Sequence, residues 1–196
     1  MLNMVTGVIL AGGRATRMGG QDKGLVQIKD KYLIEYVLDS LRPQVSQLLI
    51  SANRNQSQYA KLSACPIIAD NFDNYQGPLA GMASTLAAAQ TDYVLFVPCD
   101  APLLSSLLVA RLYSHLIQTQ ADASVAYDGK RLQPTFCLLK RHLLDNLLVF
   151  LETGKRSIHG FLRQQALVSV DCADIAETFL NINTPEDIKF ILKLNL

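Results

Sequence analysis

The chain has 196 residues, of which 49% are hydrophobic and 18% charged, with 18 lysines and arginines against 17 aspartates and glutamates. A net charge of +1 gives no footprint for a nucleic-acid polymer or an anionic membrane and leaves small ligands as the expected partners. The length suits one domain with a substantial core.

No apolar run approaches the roughly 20 residues of a membrane span. The first residues, Met-Leu-Asn-Met-Val-Thr-Gly, lack the basic and apolar regions of a signal peptide. Cys65, Cys99, Cys137 and Cys172 are spaced too widely for a Cys-x-x-Cys metal knuckle and read as free thiols in a reducing compartment. The expected address is the cytoplasm. No apolar helix face is surplus, so a monomer or weak oligomer is expected.

In chain order, Gly7–Leu10 reads as a buried strand ending in glycines. Lys31–Leu41 carries Leu33, Ile34, Val37, Leu38 and Leu41 at helical spacing, with Pro43 as a stop. Val45–Ser51 and Pro66–Ala69 read as strands, with a short helix over Gln56–Lys61 between them. Leu79–Ala89 follows Gly77-Pro78 as a helix. Tyr93–Pro98 is a strand, and Ser105–Gln118 a helix capped by Ser105 or Ser106. This alternation predicts a parallel sheet covered on both faces.

Beyond residue 120, Ala123–Tyr127, the turn Asp128-Gly129 and Thr135–Leu139 form an antiparallel excursion. Helices follow at Leu143–Leu151 and Ser157–Gln164, strands at Leu167–Val170 and Phe179–Ile182. A last helix spans Pro185–Leu194, with Thr184 as its cap and Pro185 at its first position. The fold class is α/β: a three-layer, Rossmann-like sandwich around a mostly parallel mixed sheet. Residues 1–196 read as a single domain, with halves at about 1–120 and about 121–196.

Most chemical information sits in Leu10-Ala-Gly-Gly-Arg-Ala-Thr-Arg-Met-Gly-Gly-Gln-Asp-Lys-Gly. Its glycines let backbone N–H groups approach an anion closely. Arg14, Arg17 and Lys23 surround it with positive charge. This describes a phosphate cradle at the carboxyl end of the first strand, where open α/β sheets bind ligands. A dinucleotide GxGxxG is excluded because Arg14 and Arg17 stand where glycines are needed. A Walker A loop is excluded because Gly24, rather than Ser or Thr, follows Lys23. A metal must then be held elsewhere. Asp100, just past the strand Tyr93–Pro98, can hold Mg²⁺ against a triphosphate. Asp70, after Ile67-Ile68-Ala69, stands at the same sheet edge, although aspartates there also serve as turn caps. Cys99 beside Asp100 reads as a small core residue, and Asp22 as a loop-ordering one.

Leu10-Ala-Gly-Gly-x-x-x-Arg-Met-Gly followed by Lys23 resembles the signature of the nucleoside-triphosphate transferases that activate sugars and cofactors. Ala15 replaces that family's serine. The fold implied is of the nucleotide-diphospho-sugar transferase type. Gly-Pro-Leu-Ala-Gly-Met, Pro-Cys-Asp-Ala-Pro and Asn-x-Asn-Thr-Pro-Glu-Asp extend the resemblance over essentially the whole chain, to the branch of guanylyltransferases acting on molybdopterin. The asparagines of the last motif favour guanine over cytosine, because the cytidylyl relatives tend to carry aspartates there.

The resemblance implies that GTP is held by Leu10, Ala11, Gly12, Gly13, Lys23, Ser51, Asn53, Asp70 and Asp100. It implies that molybdopterin is held by Gly20, Gly77, Gly81, Arg156, Asn181 and Asn183. Lys23, Asp100 and Arg17 would be catalytic, with Mg²⁺ on Asp100. Cofactor-delivery proteins would be transient partners. The competing readings are a cytidylyl- or other nucleotidyltransferase for the pterin or a sugar phosphate, and a non-catalytic nucleotide-binding module.

Overall fold

Side chains alternate along each apolar run, and the two sets decide how the sheet is covered. In β1 (Val5–Leu10), Val5 and Ile9 enter one core and Val8 the other. In β8 (Tyr93–Pro98), Leu95 and Val97 join the first core, Val94 and Phe96 the second. Strands buried on both faces need apolar residues at nearly every position, which is why these runs are continuous. The structure is a computed structural model and describes residues 4–11, 14–15, 21–70 and 77–193.

The central sheet has seven strands in the order β7 (Ile67–Ile68), β6 (Gln47–Ser51), β1, β8, β10 (Leu132–Lys140), β9 (Ala123–Tyr127), β11 (Leu167–Asp171). β10 runs antiparallel to both its neighbours, and every other pairing is parallel. Helices α1 (Leu33–Leu41), α2 (Gln56–Ser63) and α4 (Leu108–Gln118) cover the first face. Helices α3 (Pro78–Ala88), α5 (Leu143–Glu152) and α6 (Ile158–Leu162) cover the second. The expected three-layer mixed sandwich is the observed one.

Two small ribbons lie outside the sheet: β2 (Arg14–Ala15) with β3 (Gln21–Asp22), and β4 (Gln27–Ile28) with β5 (Lys31–Tyr32). Val26, Ile28 and Leu33 pack with Ile182 and with Ile191 of α7 (Pro185–Lys193) in a third, smaller core. The last helix is thereby fixed against the segment that follows Lys23.

Four elements differ from the sequence reading. Lys31 and Tyr32 pair with Gln27 and Ile28, so α1 starts at Leu33, where Glu35 Oε2 accepts from the Tyr32 amide at 2.8 Å. Ser105 and Ser106 do not cap α4. Ser105 sits in a preceding turn, and the Val109 amide donates to Gln44 Oε1 at 3.3 Å, so the cap comes from 65 residues away. Phe179–Ile182 is not a strand: residues 173–179 wind into 3₁₀ turns, and Phe179 satisfies itself by packing edge-on to Phe136 at 4.9 Å. β10 starts earlier than Thr135, and its register slips between Gln133 and Cys137. Pro134 lies in that gap; proline has no N–H for the ladder of a central strand, so it sits at an irregularity.

Candidate active site

Register brings the carboxyl ends of the parallel strands level. Leu10 stands opposite Ser51 on one side and Pro98 on the other. Above them opens a cleft of about 440 Å³, lined by Leu10, Ala11, Lys23, Ser51, Asn53, Asp70, Gly77, Gly81, Asp100 and Asn181, together with Ala52, Pro78, Pro98, Cys99 and Thr135. This volume lies within the range of small-ligand sites, and strand carboxyl ends are where such sheets place them.

Lys23 reaches over the floor. Its Nζ donates to Asp100 Oδ2 at 2.9 Å and also to Asn183 Oδ1. Asp100 is 4% exposed, and a carboxylate so deeply placed needs a partner of this kind. The lysine comes from a single 3₁₀ turn, Lys23–Leu25, capped by Asp22, whose Oδ1 accepts from the Gly24 amide at 3.3 Å. Asp22 is thus the turn-ordering residue its position suggested. It also accepts from Asn55 Nδ2 at 3.1 Å and from the hydroxyl of Tyr59. Burial, as the main cause, pushes the Tyr59 hydroxyl well above its usual range, so it stays protonated and donates.

On the other wall, Asn53 and Asp70 form a reciprocal pair. Asn53 Nδ2 donates to Asp70 Oδ2 at 2.8 Å, and the Asp70 amide donates to Asn53 Oδ1 at 2.8 Å. Ser51 is buried beside them, and its Oγ lies against α3 where Gly81 passes; a Cβ on Gly81 would stand 2.3 Å from that oxygen. Gly77 is the residue before α3, followed by Pro78 at the first helical position.

Asn181 and Asn183 divide as their positions allow. Thr184 caps α7, its Oγ1 accepting from the Asp187 amide at 3.2 Å, while Asp187 Oδ2 accepts from the amides of Asn183 and Thr184. That leaves the Asn183 side chain to meet Lys23. Asn181 Oδ1 is buried and finds no donor among the described residues, a costly state that a bound donor would relieve. Arg156 donates to the carbonyls of Leu151 and Lys155 and is not among the cleft-lining residues. Gly12, Gly13, Arg17 and Gly20 lie outside the described residues, as do Asn74, Tyr75 and Gln76.

Cys99 is buried, and burial pushes its thiol far above the usual range. Among the described residues no cluster of three or more His, Cys, Asp or Glu side chains is placed to hold a metal, and no helix is long and apolar enough to cross a membrane. The sequence reading missed Thr135, whose only signal was Pro134, and the inward-facing hydroxyl of Tyr59, the lone aromatic of a mostly polar short helix.

A Rossmann-like sheet, a glycine-rich first loop, and a lysine ion-paired to a buried strand-end aspartate define a nucleotidyltransferase. The profile of the MobA-like NTP transferase domain matches residues 7–169, and the chain belongs to that family. The molybdenum cofactor guanylyltransferase of Shewanella woodyi is 46% identical over 93% of this chain and 92% of its own length. That of Vibrio cholerae is 46% identical over 92% of this chain and 88% of its own. The crystal structure of molybdopterin-guanine dinucleotide biosynthesis protein A from Archaeoglobus fulgidus superposes with a TM-score of 0.81 over 98% of both chains. At 24% identity it speaks for the fold.

Proposed function

We propose that the protein transfers GMP from GTP to the terminal phosphate of molybdopterin, releasing pyrophosphate. The carrying observation is the Lys23–Asp100 ion pair on the cleft floor with Asn183 alongside. The choice of GTP and pterin rests on relatives that are molybdenum cofactor guanylyltransferases.

A terminal phosphate oxygen of the pterin attacks the α-phosphorus of GTP. The new P–O bond forms as the bond to the bridging oxygen of the β-phosphate breaks, and pyrophosphate leaves. Such transfers ask a protein for positioning and charge neutralisation rather than covalent chemistry. Lys23 supplies a cation where charge builds, and Asp100 and Asn183 hold its amine there. Leu10, Ala11 and the amides of Gly12 and Gly13 cradle phosphates, with Arg17 assisting. Ser51, Asn53 and Asp70 hold the nucleoside. Asn181 and Asn183, with Gly77, Gly81, Gly20 and Arg156, are the residues assigned to the pterin.

A buried strand-end carboxylate that belongs to no larger acidic cluster among the described residues fits Mg²⁺, which takes most of its ligands from phosphates and water. Asp100 would hold it, and when bound the ion neutralises charge on the triphosphate. The four free cysteines suit a reducing cytoplasm.

The test is pyrophosphate release by the purified protein with GTP, Mg²⁺ and molybdopterin. Release with GTP and little with CTP supports the reading. Release only with CTP, or none with either, rejects it.

A further inference from the structure

We infer that Tyr59 is a positioning residue for Lys23, acting through Asp22. The inference rests on the role proposed for Lys23 above. A lysine side chain has four flexible methylenes, so its amine is placed reliably only if its backbone is fixed. That backbone belongs to a three-residue turn, too short to hold itself. Asp22, at its start, is 6% exposed, and its carboxylate collects three donors from two separate parts of the chain. One is the turn's own Gly24 amide. The other two come from α2 and the loop before it: the Tyr59 hydroxyl and Asn55 Nδ2.

Packing reinforces the hydrogen bonds. A Cβ on Gly24 would stand 2.6 Å from Tyr59 Oη and 3.3 Å from Cys99 Cβ. The turn is therefore clamped between the fully buried Tyr59 and the residue preceding Asp100. Side chain and backbone are fixed from opposite directions: Asp22 points back to α2, and Lys23 points forward to Asp100 and Asn183. The loop that supplies Asn55 also supplies Asn53, the partner of Asp70. One short segment thus orders both the lysine turn and the opposite wall of the cleft.

Tyr59→Phe keeps the ring and removes only the hydroxyl, leaving a buried carboxylate one donor short. The variant is to be compared with the natural protein in three measurements: melting temperature, kcat and KM for GTP with molybdopterin, and acetylation of each lysine by limiting acetic anhydride, read by mass spectrometry. The expected result is a kcat lowered about tenfold, the scale of one lost charge-assisted hydrogen bond, with KM for GTP little changed. Acetylation of Lys23 rises several-fold while Lys31, Lys140 and Lys189 keep their natural reactivity. A purely structural role would instead lower the melting temperature and raise labelling at all lysines alike. That pattern, or natural kcat with natural Lys23 labelling, overturns the inference.

Asn55→Gly gives a second test that leaves the core intact, since Asn55 has φ +53° and glycine tolerates that backbone. It should shift Lys23 labelling and kcat in the same direction by less; no shift in either would also overturn the inference. The labelling needs no turnover, so an inactive natural protein would count against the proposed function alone.

Discussion

Gly81→Ala tests the cleft wall with a single methyl group. Gly81 lies inside α3 and is buried. In an ordinary helix interior the change to alanine stabilises by about 0.5–1 kcal/mol. Here the new Cβ would stand 2.3 Å from Ser51 Oγ and 3.2 Å from Asp70 Oδ1. The first distance is no contact a real Cβ makes, so Ser51 must rotate or α3 must shift, and overpacking of this kind costs about 1–3 kcal/mol. The net expectation is a loss of about 1–2 kcal/mol, or a melting temperature lower by about 2–8 °C for a chain of this size. Because Ser51 and Asp70 are displaced together, KM for GTP should rise about tenfold, with kcat less affected. Ser51→Ala removes the clashing oxygen and leaves its Cβ at 3.5 Å, an ordinary contact. The double variant Ser51→Ala/Gly81→Ala should therefore regain most of the lost stability. Thermal unfolding and GTP titration of the four proteins complete the cycle. A Gly81→Ala variant more stable than the natural protein, or additive effects in the double variant, would refute the close approach.

Lys23→Met, which keeps the stem and removes the charge, should lower kcat by at least about a hundredfold, and a mild effect in pyrophosphate release would remove it from the mechanism. Asp100→Asn should abolish turnover at any Mg²⁺ concentration; near-natural activity at saturating Mg²⁺ would overturn its assignment. Asn181→Ala should leave the melting temperature within about 2 °C, since Oδ1 has no donor to lose among the described residues, yet raise KM for the pterin. A large loss of stability with unchanged pterin affinity would make Asn181 structural. Native protein treated with iodoacetamide at pH 8 should be modified at Cys65 alone. Cys99, Cys137 and Cys172 are buried, and burial raises the Cys137 thiol to about 12, far from its thiolate at that pH. Rapid labelling of Cys137, read by mass spectrometry, would contradict the packing of the second core.

Burial on both faces made some elements readable to the residue. Tyr93–Pro98 and Ala123–Tyr127 are observed with the bounds their apolar runs suggest. Elements went astray where the deciding partner is remote. No local pattern shows that Gln44 caps α4 across 65 positions, because a cap is an oxygen at the right place and any chain segment can bring it. Phe179–Ile182 has the composition of a strand, but composition reports only the wish to be buried. Phe179 met that by packing on Phe136. The candidate site shows the same division. Asp70 and Asp100 were legible because strand ends in a parallel sheet converge on one edge, and Lys23 because it closes the basic, glycine-rich loop that follows β1. The lysine's meeting with Asn183, 160 residues away, was legible only in part. The motif offered Thr184 as the cap of α7, and its taking that place is what frees Asn183.

Why the lysine and the final asparagines share one site follows from how Ile182 is anchored. The Ile182 amide donates to the Asp100 carbonyl at 2.9 Å, fastening the segment before α7 to the end of β8. The Ile182 side chain enters the small core with Val26, Ile28, Leu33 and Ile191, directly beyond the lysine turn. In extended chain, residues two apart point the same way and the one between points opposite. Committing Ile182 to that core therefore turns Asn181 and Asn183 together toward the cleft, one lining it and the other bonded to Lys23. The apolar residues around Ile182 thus set the geometry of the polar ones. A substitution in that core that tilts α7 should disturb the lysine and the asparagine wall at once, although no member of the core lines the cleft.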